Sequence, residues 1–77
     1  MKVYKAVIQV PHDDELADAA LALRWQESEN PHGPHIKVYP DRSDPETDEP
    51  CIQIRCKHRG LDELRGLVDR VLEALDA

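Results

Sequence analysis

Three short stretches of the chain alternate apolar and polar residues with the period of two that is typical of β-strands. They are residues 2–10, 35–39 and 51–58, and proline or glycine stands near their ends. The side chains expected on the inner side of these strands are Tyr4, Ala6, Ile8, Val10, Ile36, Val38, Ile52, Ile54 and Cys56. The pattern therefore predicts three strands, each with one face toward a core and one face away from it.

Two longer stretches, at about residues 14–27 and 61–75, have the spacing of amphipathic helices. Asp13 is a suitable N-cap for the first helix, and Asp14 and Glu15 in its first turn complement the helix dipole. The second helix has a broad apolar arc, formed by Leu61, Leu64, Leu67, Val68, Val71, Leu72 and Leu75. Both helices are therefore expected to pack one side against the sheet.

The first helix has two apolar stripes, and each requires an explanation. Leu16, Ala19, Ala20 and Leu23 form the stripe expected to cover the sheet, and Leu21 and Trp25 form a second stripe away from it. Gly66 lies on the polar side of the second helix, where it destabilises the helix by about 1 kcal/mol relative to alanine. Packing in the core does not explain a glycine at this position. Either both stripes pack within the domain, or Leu21, Trp25 and Gly66 contact a protein partner.

The element order is β-α-β-β-α, within a single domain that spans residues 1–77. A right-handed crossover makes strand 2 parallel to strand 1, and strand 3 then fits between them in the antiparallel direction. We therefore expect an α+β fold with a three-stranded sheet of order 1-3-2 and both helices on one face, similar to a ferredoxin-like fold without its last strand. Strand 1 is left as an open edge, where Val3, Lys5 and Val7 are candidates for dimer contacts. Residues 40–50, with three prolines, are expected to form a long and mobile hairpin loop.

Charge is distributed unevenly between the strands and the rest of the chain. The net charge is −6 at pH 7, yet the predicted strands hold five of the 10 Lys and Arg residues and none of the 16 acidic residues. Lys5, Lys37, Arg55 and Lys57 are expected on the outer face of the sheet. They either contact phosphates without reading bases or only solvate an exposed sheet. A core this small also favours oligomerisation.

The sequence contains no arrangement of residues that is typical of an active site. Its two serines lie in or near loops, and its glycines are too scattered for a phosphate-binding loop. His32 and His35, with His12 or Cys51 as further ligands, are a weak indication of a metal site, and solvated loop histidines are the simpler interpretation. We therefore expect no enzymatic activity, no cofactor and no bound metal.

The cysteines and the hydropathy of the chain favour a cytoplasmic protein without membrane association. Cys51 and Cys56 are expected to be unpaired, because the strand between them spans roughly 16 Å, beyond the usual limit near 7 Å. Reduced thiols are typical of a reducing compartment. No stretch reaches the ~20 apolar residues of a transmembrane helix, and residues 1–10 lack the sustained apolar region of a signal peptide.

Two segments of the chain resemble those of a known family. The run ALALRWQESENPHGPHI, at residues 20–36, is similar to the helix, leucine and E-N-P loop into strand 2 of the small Pcc subunit of the KEOPS complex. Leu64, Arg65 and Gly66, followed by Val68, Val71 and Leu72, are similar to the leucine-arginine-small motif that opens the last helix of that family. The element order and the length resemble those of the family as well.

This resemblance implies a noncatalytic subunit of a complex that modifies the adenosine beside the tRNA anticodon. In that family two copies pair their sheets, the helices dock on the threonylcarbamoyl-transferase subunit, and the small subunit helps to hold tRNA. Five residues are then candidate tRNA contacts: Lys5, Lys37, Arg55, Lys57 and Arg65. Asp69 and Arg70 depart from the asparagine and small polar residue that are frequent at those positions, which leaves the tRNA contacts open.

Three functions therefore compete. The first is a dimerising scaffold subunit of a tRNA-modifying complex, paired with itself or a paralogue, that assists tRNA binding. The second is a free-standing small RNA-binding domain that uses the basic sheet face, and salt-sensitive RNA binding by the isolated chain would favour it. The third is a small metal- or ligand-binding domain that uses the histidine loop, which stoichiometric zinc would favour.

Overall fold

The computed structural model describes residues 2–28, with side chains as far as residue 25, and residues 35–76. Its elements are β1 (Tyr4–Pro11), α1 (Asp14–Ser28), β2 (Ile36–Ser43), β3 (Pro50–His58) and α2 (Leu61–Asp76). The strands form one sheet in the order β1-β3-β2, in which β3 is antiparallel to both neighbours. The α+β class, the element order and the sheet order that the sequence predicts are confirmed.

The start of α1 is fixed by Asp13, as the sequence predicts. The Asp13 Oδ1 atom accepts hydrogen bonds from the backbone N–H groups of Glu15 and Leu16, at 2.9 and 3.2 Å. The Asp13 carbonyl accepts a further hydrogen bond from the Ala17 N–H at 2.9 Å. These bonds satisfy backbone donors that the first turn of a helix leaves without partners. The turn from β1 into α1 is consequently short, and α1 returns across one face of the sheet.

The core lies between the sheet and the two helices. Its buried side chains come from both helices and from the inner faces of β2 and β3: Ala20, Leu23, Ile36, Val38, Ile52, Ile54, Cys56, Leu64, Leu67 and Val71. The inner face of β1, by contrast, is only half-buried at Ala6, Ile8 and Val10. Tyr4, which the sequence predicts on the same face, is exposed because it lies at the end of the edge strand. The inner face of the edge strand β1 is therefore covered less fully than those of β2 and β3.

The hairpin between β2 and β3 is longer than the sequence predicts. β2 continues to Ser43, beyond the expected end at Tyr39, and β3 begins at Pro50. The register shifts between Tyr39 and Arg42, which accommodates Pro40 at an irregularity of an edge strand. Asp41 consequently lies within β2, so the expectation that the strands hold no acidic residue is wrong.

Asp44 organises the turn at the tip of this hairpin. Its N–H donates to the Glu49 carbonyl at 2.8 Å, and its carbonyl accepts from the Asp48 N–H at 2.7 Å. Its side chain accepts from the Glu46 N–H at 2.8 Å and from Gln9 Nε2 at 3.2 Å. Asp48 has a φ of 57°, in the left-handed region that aspartate adopts more readily than most residues. The hydrogen bond to Gln9 attaches the acidic tip to β1.

The second apolar stripe of α1 is divided between the core and the surface. Leu21 is half-buried and packs against the core, contrary to the expectation that it lies away from the core stripe. The physical reason is that α1 contacts both β2 and α2, so its buried sector is wider than one stripe. Trp25, one turn further along, is 73% exposed. Of the two residues, Trp25 alone presents most of its surface outward.

Candidate nucleic-acid interface

The outer face of the sheet, on the side opposite the helices, is a grid of short rows that cross the three strands. In the order β1, β3, β2, the rows are Lys5, Lys57 and His35; Val7, Arg55 and Lys37; Gln9, Gln53 and Tyr39. Successive rows are two residues apart along the strands, which is about 6.8 Å. The structure thus brings together the four cations predicted for this face, and we call Lys5, Lys37, Arg55 and Lys57 the basic face.

Two pairs of like charges stand directly opposite each other within the basic face. Lys5 is registered against Lys57, and Lys37 is registered against Arg55. The Cβ atoms of such pairs are about 4.5–5.5 Å apart, and like charges at that separation destabilise a sheet. Among the described side chains, at residues 2–25 and 35–76, no carboxylate forms an ion pair with any of the four. These parts of the chain therefore leave the positive charge of the basic face uncompensated.

An open concavity of about 310 Å³ lies over the basic face. The outer-face side chains that line it are Lys5, Val7, His35, Lys37, Tyr39, Arg55 and Lys57. Its volume is at the lower end of the range for small-molecule sites, which is about 300–1,000 Å³. Because lysine and arginine side chains carry hydrogen-bond donors and positive charge only, the concavity suits a small anionic group such as a phosphate.

Tyr39 supplies an aromatic surface at one end of this concavity. The guanidinium carbons of Arg42 and Arg55 lie 4.4 and 5.0 Å from the centre of its ring, within the range of cation–π contacts. Arg55 is also held by Gln53, because its Nε donates to Gln53 Oε1 at 3.0 Å. The sequence analysis missed Arg42, since it ended strand 2 at Tyr39. The sequence offered one signal for this contact, which is an arginine three residues after the tyrosine of a predicted strand.

The residues predicted on the helices lie apart from the basic face. Arg65 is in α2, on the other side of the sheet, so the structure does not bring it together with the four strand cations. Its Nη1 atom lies 4.0 Å from Asp62 Oδ1, and this pair is too exposed to contribute much stability. A Cβ atom added to Gly66 would meet no atom within 4 Å. The helical layer thus offers bare backbone at Gly66 and the exposed indole of Trp25.

β1 is an open edge with exposed apolar residues near both of its faces. Within the part of the chain that the structure describes, it pairs with β3 alone, as predicted. On the outer side Val7 is 59% exposed, and Val3 is exposed as well. On the inner side a groove of about 420 Å³ is lined by Val10, Leu72 and Leu75, together with the acidic residues Glu73 and Asp76. Exposed apolar surface beside an unpaired strand is suited to pairing with another chain.

Two histidines lie together at the end of the grid. The ring centres of His35 and His58 are 4.6 Å apart, and His58 Nδ1 accepts a hydrogen bond from the Gly60 N–H at 3.1 Å. His32, the other half of the predicted histidine pair, lies outside the described residues. Among the residues that are described, no three His, Cys, Asp or Glu side chains are grouped as a metal site would require.

Cys51 and Cys56 are both buried, and neither forms a disulfide bond, as their spacing along the strand predicts. A buried thiol in structural surroundings is poorly accessible to substrates and oxidants. Cys56 is therefore part of the core, and Cys51 is buried at the end of β3 that adjoins the hairpin tip.

Comparisons of this chain with protein-family models, with curated proteins and with solved structures gave no match. Among the described residues, neither helix has the length and apolar character needed to cross a membrane.

Proposed function

We propose that this protein is a small noncatalytic subunit that binds RNA through its basic face. The observation that carries this proposal is the direct opposition of Lys5 to Lys57 and of Lys37 to Arg55 on an exposed sheet. The repulsion within these pairs destabilises the unbound protein. A polyanion that neutralises the charges removes this repulsion, and the relief adds to the binding free energy. A phosphate backbone supplies such charge at regular intervals.

The proposed setting is a tRNA-modifying assembly of the KEOPS type, and the resemblance at residues 20–36 and in the opening of α2 supports it. In this assembly the open edge of β1 pairs with a second copy or a paralogue. The helical layer, with Trp25 and Gly66, docks on the threonylcarbamoyl-transferase subunit. We place this function in the cytoplasm.

Binding by the isolated chain should be weak, because the protein is acidic outside the basic face. The net charge is −6, and the hairpin tip places Asp44, Glu46, Asp48 and Glu49 at one end of the sheet. Repulsion between these carboxylates and phosphates opposes association over roughly a Debye length, about 10 Å at 0.1 M salt. An assembly that adds further RNA contacts offsets this repulsion.

The test is a salt titration of tRNA binding by the assembled complex. The variant Arg55→Glu/Lys57→Glu should bind tRNA more weakly, and its plot of log affinity against log salt should be flatter by roughly 0.7–0.9 per lost phosphate contact. The matched control, Arg24→Glu, makes the same kind of charge reversal on α1, and all variants are compared as complexes that retain the transferase subunit. The control should retain most of the affinity and the slope.

Equal affinity and equal slope for wild type and the Arg55/Lys57 variant would show that the basic face is only a solvated surface. A protein that binds tRNA through these residues but copurifies with no transferase subunit would instead be a free-standing RNA-binding domain. That second candidate is favoured by one observation, the aromatic surface of Tyr39 beside the cations.

A further inference from the structure

We infer that the concavity on the outer face holds one nucleotide of a single-stranded RNA, whose base stacks on Tyr39. This inference rests on the proposed RNA binding and specifies its ligand. In this arrangement Lys37 and Arg55 contact the phosphate of that nucleotide, and Lys5 and Lys57 contact the next one. The site therefore recognises one unpaired base and about two phosphates, a count set by the spacing of the rows.

The spacing of the grid carries the first part of this inference. Rows of the sheet are about 6.8 Å apart, which is comparable to the distance between successive phosphates in an extended single strand. Cations occupy two adjacent rows, and Tyr39 occupies the third. A single RNA strand that follows the direction of the β-strands thus places two successive phosphates beside positive charge and the adjoining base beside an aromatic ring.

The contacts of Tyr39 carry the second part. Two planar guanidinium groups, those of Arg42 and Arg55, already lie within 5.0 Å of the ring centre, so a base can stack on the ring only by displacing one of them. Arg55 is held in place by its hydrogen bond to Gln53, whereas Arg42 is an exposed residue next to the register shift. We therefore expect the base to displace the Arg42 guanidinium from the ring. The displaced guanidinium then contacts a phosphate.

Two features favour an unpaired base over a duplex. A base inside a duplex is stacked on both of its faces, so it cannot stack on a side chain as well. The acidic tip, attached to β1 through Gln9 and Asp44, also lies just beyond the third row. The acidic tip repels phosphates, so the RNA strand enters or leaves the outer face at Tyr39. A long and rigid RNA duplex would extend past Tyr39 into the acidic tip, so it does not fit.

The experiment measures binding of a fluorescein-labelled RNA hexamer to the full chain at low salt by fluorescence anisotropy. Tyr39→Leu should weaken binding by roughly 5- to 150-fold, the range for loss of one stacked base, with no change in the salt slope. Tyr39→Phe is the matched control and should bind as wild type does, because phenylalanine keeps the ring. Lys37→Gln should instead lower the salt slope by about 0.7.

A second measurement uses wild-type protein, so it does not depend on the folding of any variant. The same hexamer with abasic sugars, and the hexamer annealed to its complement, should both bind more weakly than the single strand by a factor in that range.

If Tyr39→Leu and the abasic hexamer both bind as tightly as their references, the face contacts phosphates alone. The nucleotide site is then wrong, although the proposed RNA binding stands. Tighter binding of the duplex than of the single strand would also overturn the nucleotide site. If wild type binds none of the RNAs even at low salt, the nucleotide site is wrong, and the salt titration of the assembled complex then decides whether the basic face binds tRNA there.

Discussion

The opposed residues Lys5 and Lys57 allow the internal repulsion of the basic face to be measured directly. If their ammonium groups splay to about 7 Å apart, their Coulomb repulsion is about 0.6 kcal/mol in bulk water and about 2.4 kcal/mol at an effective dielectric constant near 20. Salt at about 0.1 M roughly halves these energies. We therefore expect a repulsive coupling of about 0.3–1 kcal/mol, in the range for directly opposed residues of antiparallel strands.

The perturbation is a double-mutant cycle of wild type, Lys5→Gln, Lys57→Gln and the double variant. Glutamine removes the charge and keeps a long polar side chain. The cycle cancels the separate effect of each substitution on strand stability and leaves the coupling. Each single variant should raise the free energy of unfolding by the coupling energy, and the second substitution should add nothing further. Urea unfolding followed by circular dichroism measures these free energies.

A matched cycle combines Lys57→Gln with Arg24→Gln, which lies on α1 and has no registered position opposite Lys57. Its coupling should be close to zero. The Lys5/Lys57 coupling should also shrink as salt is raised, because both side chains are exposed. A coupling equal to that of the control, or one that does not respond to salt, would refute the repulsion. The main support for RNA binding would then be lost.

Two further predictions concern the partner surfaces. The wild-type chain should sediment as a dimer at tens of micromolar, and Val7→Pro should weaken the dimer because proline removes a backbone donor from β1. A monomeric wild type with a folded circular dichroism spectrum would contradict this. Trp25→Ala should lower affinity for the transferase subunit by more than about 2 kcal/mol, as loss of an interface hot spot does. Little stability should be lost, since Trp25 is 73% exposed, and an unfolded variant would show that the indole belongs to the core.

Local signals were sufficient to predict most of the fold. The period of two, the helical spacing and the Asp13 cap each act within a few residues, so they are visible in one sequence. The hairpin was predicted too short because Pro40 and Asp41 are both unfavourable in strands. Both residues can be part of a strand only where that strand lies at the edge of a sheet and its register shifts. The sequence does not show which strand is at the edge or where a bulge falls.

The candidate site was predictable to a smaller extent. Alternation along each strand is enough to predict that Lys37, Arg55 and Lys57 share the outer face. The opposition of Lys5 to Lys57 depends on the register between β1 and β3, which are separated by α1, β2 and the hairpin. Register between distant strands is set by core packing, which no local pattern encodes. Arg65 was grouped with the strand cations by resemblance alone, and it lies on the opposite side of the sheet.

The two surfaces of the proposed function meet at β1, which is the least supported strand of the sheet. Its inner residues are half-buried, one backbone edge is unpaired, and its Lys5 faces another lysine. A second chain that pairs with its edge satisfies its backbone groups, and an RNA phosphate placed between Lys5 and Lys57 removes the repulsion. Both ligands therefore stabilise the same strand against local opening. Because each binds best when β1 is ordered, binding of either one lowers the free energy needed to order the site for the other. Dimerisation and RNA binding should consequently reinforce each other through β1, without direct contact between the two ligands.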